Sequence, residues 1–463
     1  MRKRLIFTVF ILIVEAAFCS MGDFFVEEAD AISNFYIRDN ASGGSCLVLG
    51  NWNNVTKTCT LTADINYGKI LIESDGVTLD GGNHVMNGDG TGGNNDGVQL
   101  NSRRGVTIKN LRSNNYRYAV NFNNSHNNTV TNITSWSNEA SGISLSYATG
   151  NKILHNNISN NNSDTGICIG YESTDNEIHG NTVVGSDRGI YLHTYCDGND
   201  ITENTVTTDL EAITLADSDS MNTIVNNTVT SNTSAIFLDY LSNANIIRGN
   251  TIASNVRGFA LANGASFNQI YNNNFIDNIS FQANASGGTD NVYNLSTPTG
   301  GNYWSDFDTP AEGCNDVNID GFCDAPYTFS GGQDNLPLVS RNGWICATPS
   351  LSLQMPGPAY WVDFDDYTND KLSINWFIRN DGSSVAKNVQ LIANYHSNDV
   401  STITPLPLSL GNIAANGGMA KATVKTQLPH GTPSFRSWVF VKAEDTCSAL
   451  HYYPGQPPQQ PPI

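Results

Sequence analysis

The chain has 463 residues, with 43 Asp and Glu against 23 Lys and Arg, and a formal charge of −20 at pH 7. An acid excess of this size makes nucleic acid a poor partner, and it repels a bare polyanion such as pectate or alginate unless a metal bridges the two. Across residues 119–280 the cations besides histidine are Lys152, Arg188, Arg248 and Arg257 alone, which suits a solvated exported surface.

Met1-Arg-Lys-Arg, the apolar run Leu5 to Val14 and then Glu15-Ala-Ala-Phe-Cys-Ser read as a secretory signal peptide over residues 1–20, cut near Cys19 or Ser20. A lipid-modified Cys19 is the rival, for which Ala16-Ala17-Phe18 is a poor lead-in. Removing 1–20 takes away Arg2, Lys3, Arg4 and Glu15 and moves the formal charge from −20 to −22. No second stretch long enough to span a bilayer follows, so the expectation is an exported protein with no transmembrane segment after signal removal.

Residues 21–65 carry Phe24, Phe25, Phe35 and Tyr36 with Cys46 and Cys59, which suits an N-terminal cap. From there to residue 280 the chain repeats. Asn176, Asn199, Asn222, Asn245 and Asn268 recur every 23 residues, as do Asn181, Asn204, Asn227, Asn250 and Asn273, with Ile178, Ile201, Ile224, Ile247 and Ile270 between them. Further apolar columns run through Ile167, Ile190, Ile213, Ile236 and Phe259, through Ile169, Leu192, Leu215, Leu238 and Leu261, and through Val183, Val206, Val229, Ile252 and Phe275. Repetition of this length means one supersecondary unit stacked on copies of itself.

Within a unit such as Gly189-Ile-Tyr-Leu-His, Asn199-Asp-Ile-Thr and Asn204-Thr-Val-Thr, apolar positions alternate in twos, the period of strands. Three strands of about four residues, each ended by Asn, Gly, Ser or Asp, add up to one turn of a right-handed single-stranded parallel β-helix. The predicted fold class is therefore all-β, with about nine or ten coils over residues 66–280 and an axial length of roughly 45 Å at the strand spacing. Upstream coils are less regular, through Gly76-Val-Thr-Leu, Gly97-Val-Gln-Leu, Ala119-Val-Asn-Phe and Gly142-Ile-Ser-Leu. Asn at an inward-turning corner tolerates left-handed dihedrals and can bond the coils above and below, so the Asn columns belong to the scaffold.

After Asn278 the period fails, and residues 281–345 read as the C-terminal cap. This segment contains Asp316-Val-Asn318-Ile-Asp320-Gly321-Phe-Cys-Asp324, whose alternating oxygen side chains before a Gly match the first half of a calcium loop. Tyr327 stands at the twelfth position, so a full EF-hand is excluded. The expectation is a shortened calcium loop with Asp316, Asn318, Asp320 and Asp324 as ligands and the Phe322 carbonyl assisting; the alternative is an Asx-rich turn closed by Cys314 and Cys323. From residue 346 to 450 the Asn columns vanish, and strands around Lys371 to Asn380, Val389 to Tyr395, Leu408 to Ile413, Ala420 to Thr426 and Ser437 to Glu444 suit an Ig-like antiparallel β-sandwich. Residues 451–463 form a Pro-rich tail.

Eight cysteines follow the signal peptide, an even number for an oxidising compartment. Their spacing suggests bridges Cys46–Cys59, Cys314–Cys323 and Cys346–Cys447, leaving Cys168 and Cys196, which lie in adjacent coils but five positions out of phase. Twelve Asn-x-Ser/Thr sequons, among them Asn40, Asn54, Asn132, Asn157, Asn232 and Asn294, would make a glycoprotein in a host that glycosylates exported proteins.

The repeat Gly-Ile-Tyr-Leu…Asn-Asp-Ile-Thr-Glu-Asn-Thr-Val resembles the parallel β-helix repeats of the NosD-like and carbohydrate-binding/sugar-hydrolase (CASH) family. Gly301-Asn-Tyr-Trp-Ser-Asp-Phe, Asp320-Gly-Phe-Cys-Asp-Ala-Pro-Tyr and Gln333-Asp-Asn-Leu-Pro-Leu look like the end cap of archaeal and bacterial members. The likeness covers about residues 30–340, and the segment from Ile374 to Tyr395 is similar to CARDB-type adhesion modules. This implies an exported or cell-surface protein that binds or acts on glycans. The family's copper-maturation members are poor guides, because no His, Met or Cys cluster of metal spacing stands in the repeats.

In Ile190-Tyr191-Leu192-His193 the Ile and Leu face inward, so Tyr191 and His193 face out; one or two coils on, Thr214, Ala216, Phe237 and Asp239 do the same. Tyr191, His193, Phe237 and Asp239 are thus the candidate ligand-binding residues of a shallow outward groove, where aromatics can stack on sugar rings. His193 and Asp239 are two coils apart, about 10 Å by strand spacing, so they form no dyad. Glu172, one coil before His193, leaves a weak acid/base option, and the candidate catalytic residues are Glu172, His193 and Asp239. Arg188 and Glu211 share a phase in adjacent coils and should form a cross-coil ion pair. No catalytic signature stands in the repeats, so the leading reading is a non-enzymatic glycan or surface-partner binder. The alternatives are a polysaccharide lyase or glycoside hydrolase on the same face, and a structural surface-layer component.

Overall fold

The computed structural model describes residues 33–454 apart from 91–94, 160–163, 232, 345–348, 355–359, 383, 398, 431–434 and 446–449. Residues 1–20, expected as a signal peptide, Phe24, Phe25, the Cys346 and Cys447 expected to pair, and the tail beyond residue 454 lie outside the described residues. The chain divides into two compact units. The first runs to Tyr293 and includes Trp304–Asp306 and Thr328–Asp334; the second holds the intervening segments and everything from Asn335 on.

The first unit is a parallel β-helix of three 11-stranded sheets. Sheet A begins with Ser33–Ile37 and Gly68–Ile72, passes through Thr165–Gly170, Arg188–His193, Glu211–Ala216 and Ser234–Leu238, and ends at Phe281–Ala285. Sheet B runs through Glu177–His179, Asp200–Thr202 and Thr223–Val225, and sheet C through Thr182–Val184, Thr205–Thr208 and Thr228–Ser231. The columns visible in the sequence become the register: Ile167 pairs with Ile190, Ile190 with Ile213, Ile213 with Ile236 and Ile236 with Phe259. Ile178 to Ile270 stack likewise in sheet B, and Val183 to Phe275 in sheet C. All fifteen side chains are 0% exposed. Each contributes about 1.5–3 kcal/mol by leaving water, which makes the tube interior the source of its stability.

The two Asn columns line the corners that enter sheets B and C. Asn199, for example, accepts from the backbone N–H of Asn176 at 2.9 Å and from its amide at 2.9 Å, while its own amide donates to Ser173 O at 3.1 Å and Asn222 Oδ1 at 3.1 Å. The first ladder reaches back to Asn128 and on to Asn291, beyond the stretch where the period is strict. Upstream irregularity is real: Ile70 pairs with Val98, a step of 28 residues, before steps of 22 to 25 set in.

Both ends are atypical. Ser33–Ile37, within the segment expected as the N-terminal cap, is the first described strand of sheet A and pairs in parallel with Gly68–Ile72. A short helix, Cys46–Leu49, leads into a hairpin of Gly50–Asn53 with Thr58–Leu61, and Cys46 is bonded to Cys59. This bridge closes a 13-residue separation. Replacing both cysteines by Ser should therefore lower stability by about 3 kcal/mol, read as a fall in the thermal midpoint. At the far end Trp304, fully buried, stacks on Phe275 at 4.4 Å and 6°, and its Nε1 donates to Asp334 at 3.0 Å. Phe329 and Tyr293 complete an aromatic plug over the last coil.

The second unit contains two four-stranded antiparallel sheets, one built on Lys371–Asn380 and Gly418–Gln427, the other on Ala386–His396 and Ser437–Glu444. Leu372, Ile374, Trp376 and Ile378 of the first meet Val389, Leu391, Val439 and Val441 of the second in one core, the expected sandwich.

Candidate functional site

Sheet A sets Cys168, Tyr191, Thr214 and Phe237 in one outward row and Gly170, His193 and Ala216 in the next. Asp239 donates its N–H to Leu215 O at 2.8 Å, which leaves Ala216 between it and His193 and separates the two by two coils. The open groove expected here is not what the structure shows. Tyr191 is 6% exposed, His193 2% and Asp239 5%, and Phe237 is half-buried. Alternation assigns a side of the sheet correctly but does not say whether that side is covered.

Around Tyr191 the row is a packed polar cluster. The Arg188 guanidinium lies over the Tyr191 ring at 4.8 Å and donates to Glu211 at 3.1 Å, the cross-coil ion pair read from the sequence. The Thr214 hydroxyl donates to the same Glu211 oxygen at 3.1 Å. Burial holds the Tyr191 phenol protonated. His193 stacks on Tyr191 at 5.2 Å, meets Tyr171 edge to face at 5.2 Å, and has Nδ1 3.0 Å from Thr194 Oγ1. Its ring lies over Gly170, where a Cβ would fall 2.4 Å from Nε2, and Nε2 itself makes no hydrogen bond.

Burial, then the nearby Arg188, push the His193 pKa from 6.5 down to about 4. Unfolded, the imidazole takes its proton near 6.5; folded, it resists until about 4, so the unfolded state binds more protons in that window and stability falls as pH drops through it. His193→Gln removes this response, and the wild-type advantage over the variant should shrink by about 3 kcal/mol between pH 7 and pH 4, measured by denaturant unfolding. Asp164, raised to about 6 by burial, works in the opposite direction in both proteins and cancels in the difference.

The carboxylates do not converge on His193. Asp239 accepts from Tyr240 N–H at 2.9 Å and from the Asn263 amide at 2.6 Å, and burial raises its pKa. Asp219, fully buried, caps backbone N–H groups of Cys196 and Ala216 at 2.7 and 2.8 Å. Glu172, expected as a partner for His193, is exposed in a left-handed corner (φ 56°) where its N–H donates to Thr194 O; among the described contacts its carboxylate does not meet the imidazole. The leftover cysteines also do not pair. Cys168 is disulfide-bonded, but Cys196 is a free, buried thiol whose Sγ faces the carbonyls of His193 (3.1 Å) and Ile169 (3.4 Å), away from Cys168's outward row.

The Asp316 loop, in the second unit, is closed by Cys314–Cys323 as expected. Its oxygens are directed at its own backbone: Asp316 accepts from the N–H of Asp320 and Gly321, Asp320 from that of Phe322, and Asp324 from that of Val317, all at 2.9–3.0 Å. The Asn318 amide donates to Asp320 at 3.1 Å. Burial and the neighbouring Asp320 and Asp324 charges raise the Asp316 pKa, though N–H bonds oppose this. Among the described residues no three His, Cys, Asp or Glu side chains are arranged to hold a metal ion.

The corner joining sheet A to sheet B was not singled out in the sequence. Tyr147, Tyr171, Tyr195, Met221, Tyr240 and Phe267 supply one large side chain in each of six successive coils, and all six have φ between 37° and 63°. Tyr147, Tyr195, Met221, Tyr240 and Phe267 are exposed, from 43% for Tyr240 to 62% for Met221. Tyr147 and Tyr171 lie ring against ring at 5.5 Å. On the other two edges left-handed corners fall mostly to Asn, Gly, Ser and Asp, as at Asn110, Asn132, Gly180, Asn226, Gly249 and Asn272. A signal was available: Tyr147, Tyr171 and Tyr240 share the repeat phase of Thr194 and Asp217.

Stacked three-strand coils with internal Asn ladders and one aromatic outer edge define a parallel β-helix protein. A profile of the family described as "Periplasmic copper-binding protein (NosD)" matches residues 51–236 and 198–309, more than half of the chain, and the chain belongs to that family. Comparison with curated proteins finds no match. Among solved structures, a mutant of the periplasmic alginate epimerase AlgG is similar at 18% identity and a TM-score of 0.38, over 54% of this chain and 66% of that one. The A-module of the Azotobacter vinelandii mannuronan C-5 epimerase AlgE6 matches at 15% and 0.36, over 51% and 80%. An E. coli bacteriophage tailspike mutant, in complex with a pentasaccharide, matches at 11% and 0.37, over 86% and 85%. The chain thus spans slightly less than two thirds of the epimerase AlgG, and at these identities the likeness is one of fold alone.

The copper of the family's name draws on His, Cys and Met ligands. The sequence hid one His contact: His155 and His179 meet edge to face at 5.2 Å across adjacent coils, with Glu203 4.0 Å from His179. Among the described residues no set of three His, Cys, Asp or Glu groups is arranged for a metal.

Proposed function

We propose that the protein is an exported β-helix that binds a glycan along the edge between sheets A and B, without turning it over. The observation that carries this reading is the row of six large side chains, one per coil and five of them exposed, held in a backbone region that penalises them. Aromatic side chains offer sugar rings an apolar face, and their polar tips and neighbours serve the hydroxyl groups. Tyr191, His193, Phe237 and Asp239 then act from beside the edge, as its packed support. The sandwich would serve as an accompanying adhesion module.

A glycan array followed by calorimetry tests this. Binding is expected, weakened at least about tenfold by Tyr195→Ala together with Tyr240→Ala, with no release of reducing ends or unsaturated product. A blank array, or turnover that His193→Ala or Asp239→Ala abolishes, would sink the proposal.

A further inference from the structure

Resting on that reading, we infer that the edge takes a chain of pyranose rings free of carboxylate and sulfate groups, laid parallel to the β-helix axis with one ring per coil. The geometry is set by the backbone. Tyr147 donates its N–H to Tyr171 O, Tyr171 to His193 O and Tyr195 to Asp217 O, so successive corners follow the strand register directly. Each coil rises by about 4.8 Å, close to the length of one ring in an extended sugar chain. Anchors that rise one coil at a time, stepping within the corner between the phase of Tyr147, Tyr171 and Tyr240 and that of Met221 and Phe267, suit an extended polymer. A globular partner would need no such periodicity, and a single sugar would need one coil.

Charge narrows the chemistry. The corner segments 147–150, 171–175, 194–198, 217–221, 240–244 and 263–267 contain Glu172, Asp175, Asp197, Asp217 and Asp219 and not one Lys or Arg. Of these, Glu172 and Asp175 are exposed, Asp197 and Asp217 half-buried, and Asp219 buried. A uronate or sulfated chain laid along this edge would bring its charges beside these carboxylates with no cation to offset them. Neutral rings meet no such penalty, and rings bearing amines gain from it. Thr194, Ser218, Asn243 and Asn263 stand between the anchors to meet hydroxyl groups.

The test uses the full chain and β-1,4-linked N-acetylglucosamine oligomers of two, four and six rings, the deacetylated hexamer and a hexagalacturonate. Affinity for the neutral oligomers should rise about tenfold or more from two rings to six, the amine-bearing hexamer should bind with added salt dependence, and the hexagalacturonate should not bind. Tyr147→Asn and Phe267→Asn, at the two ends of the row, should weaken the hexamer while sparing the dimer. Affinity that saturates at two rings, end variants without effect on the hexamer, or binding of the hexagalacturonate as tight as that of the neutral hexamer would each overturn the inference. If the array selects only acidic polymers, this inference falls and glycan binding stands; a blank array removes both.

Discussion

Asn204→Ala is expected to destabilise the β-helix by about 4 kcal/mol, a large loss for a chain whose net stability is only of the order of 5–15 kcal/mol. Asn204 has 1% of its surface exposed and all its hydrogen-bonding capacity is in use. Its Oδ1 accepts from the backbone N–H of Asn181 at 2.9 Å and from the Asn181 amide at 3.0 Å. Its Nδ2 donates to Ile178 O at 2.8 Å and to Asn227 Oδ1 at 3.0 Å. Alanine deletes donor and acceptor at once and removes hydrogen bonds to groups on the two neighbouring coils, a buried polar atom costing about 1–3 kcal/mol when left unpaired. The neighbouring Asp200→Ala, on the exposed side of its strand, should change stability by less than about 0.5 kcal/mol. Because contacts in a solenoid are between neighbours, hydrogen exchange should show the loss centred on Ile178 to Asn227, fading with each coil. Equal loss across all coils would argue that the unit unfolds only as a whole, and an unchanged midpoint would refute the ladder's role.

The same ladder explains why the fold was legible. An Asn that must bond identical partners above and below has to recur at the coil length, so the 23-residue phase is written into the sequence with the interior Ile and Val columns beside it. The Cys46–Cys59 and Cys314–Cys323 bridges were legible for a similar reason, since short loops bring their ends together whatever surrounds them. The site was less so. Period-two alternation placed Tyr191 and His193 outside the tube and separated His193 from Asp239, both correctly, but alternation is a property of one strand and cannot report that Tyr191 and His193 have almost no exposed surface. Glu172 was misplaced because a left-handed corner turns the chain away from the strand direction, which coil spacing alone does not capture. Cys196, whose partner the sequence left open, stands in an inward column with Ser173 and Ser242, whose hydroxyls donate to Gly170 O and Asp239 O at 2.7 Å. The aromatic edge was overlooked because its members alternate between the beginning and the end of a corner, so no single repeat phase contains them all.

That edge makes the second large prediction, a trade between stability and binding. Tyr147, Tyr195 and Tyr240 sit at φ 54°, 63° and 37°, where an L side chain other than Asn or Asp is held at a cost of about 1 kcal/mol. Their rings recover little of that in the free protein, being about half exposed: 50%, 57% and 43%. Replacing all three by Asn, the residue that other corners of this chain already use, should therefore stabilise the β-helix by about 2 kcal/mol in total. The same triple variant should lose glycan affinity by about a hundredfold or more, since three stacking surfaces go together. Single variants should show each trend in smaller steps that add for Tyr195 and Tyr240, which lie two coils apart. Tyrosines kept for packing would give the opposite sign in the unfolding experiment, with the triple variant less stable than the parent. A variant that is more stable and still binds would show that the strain serves some purpose other than the glycan.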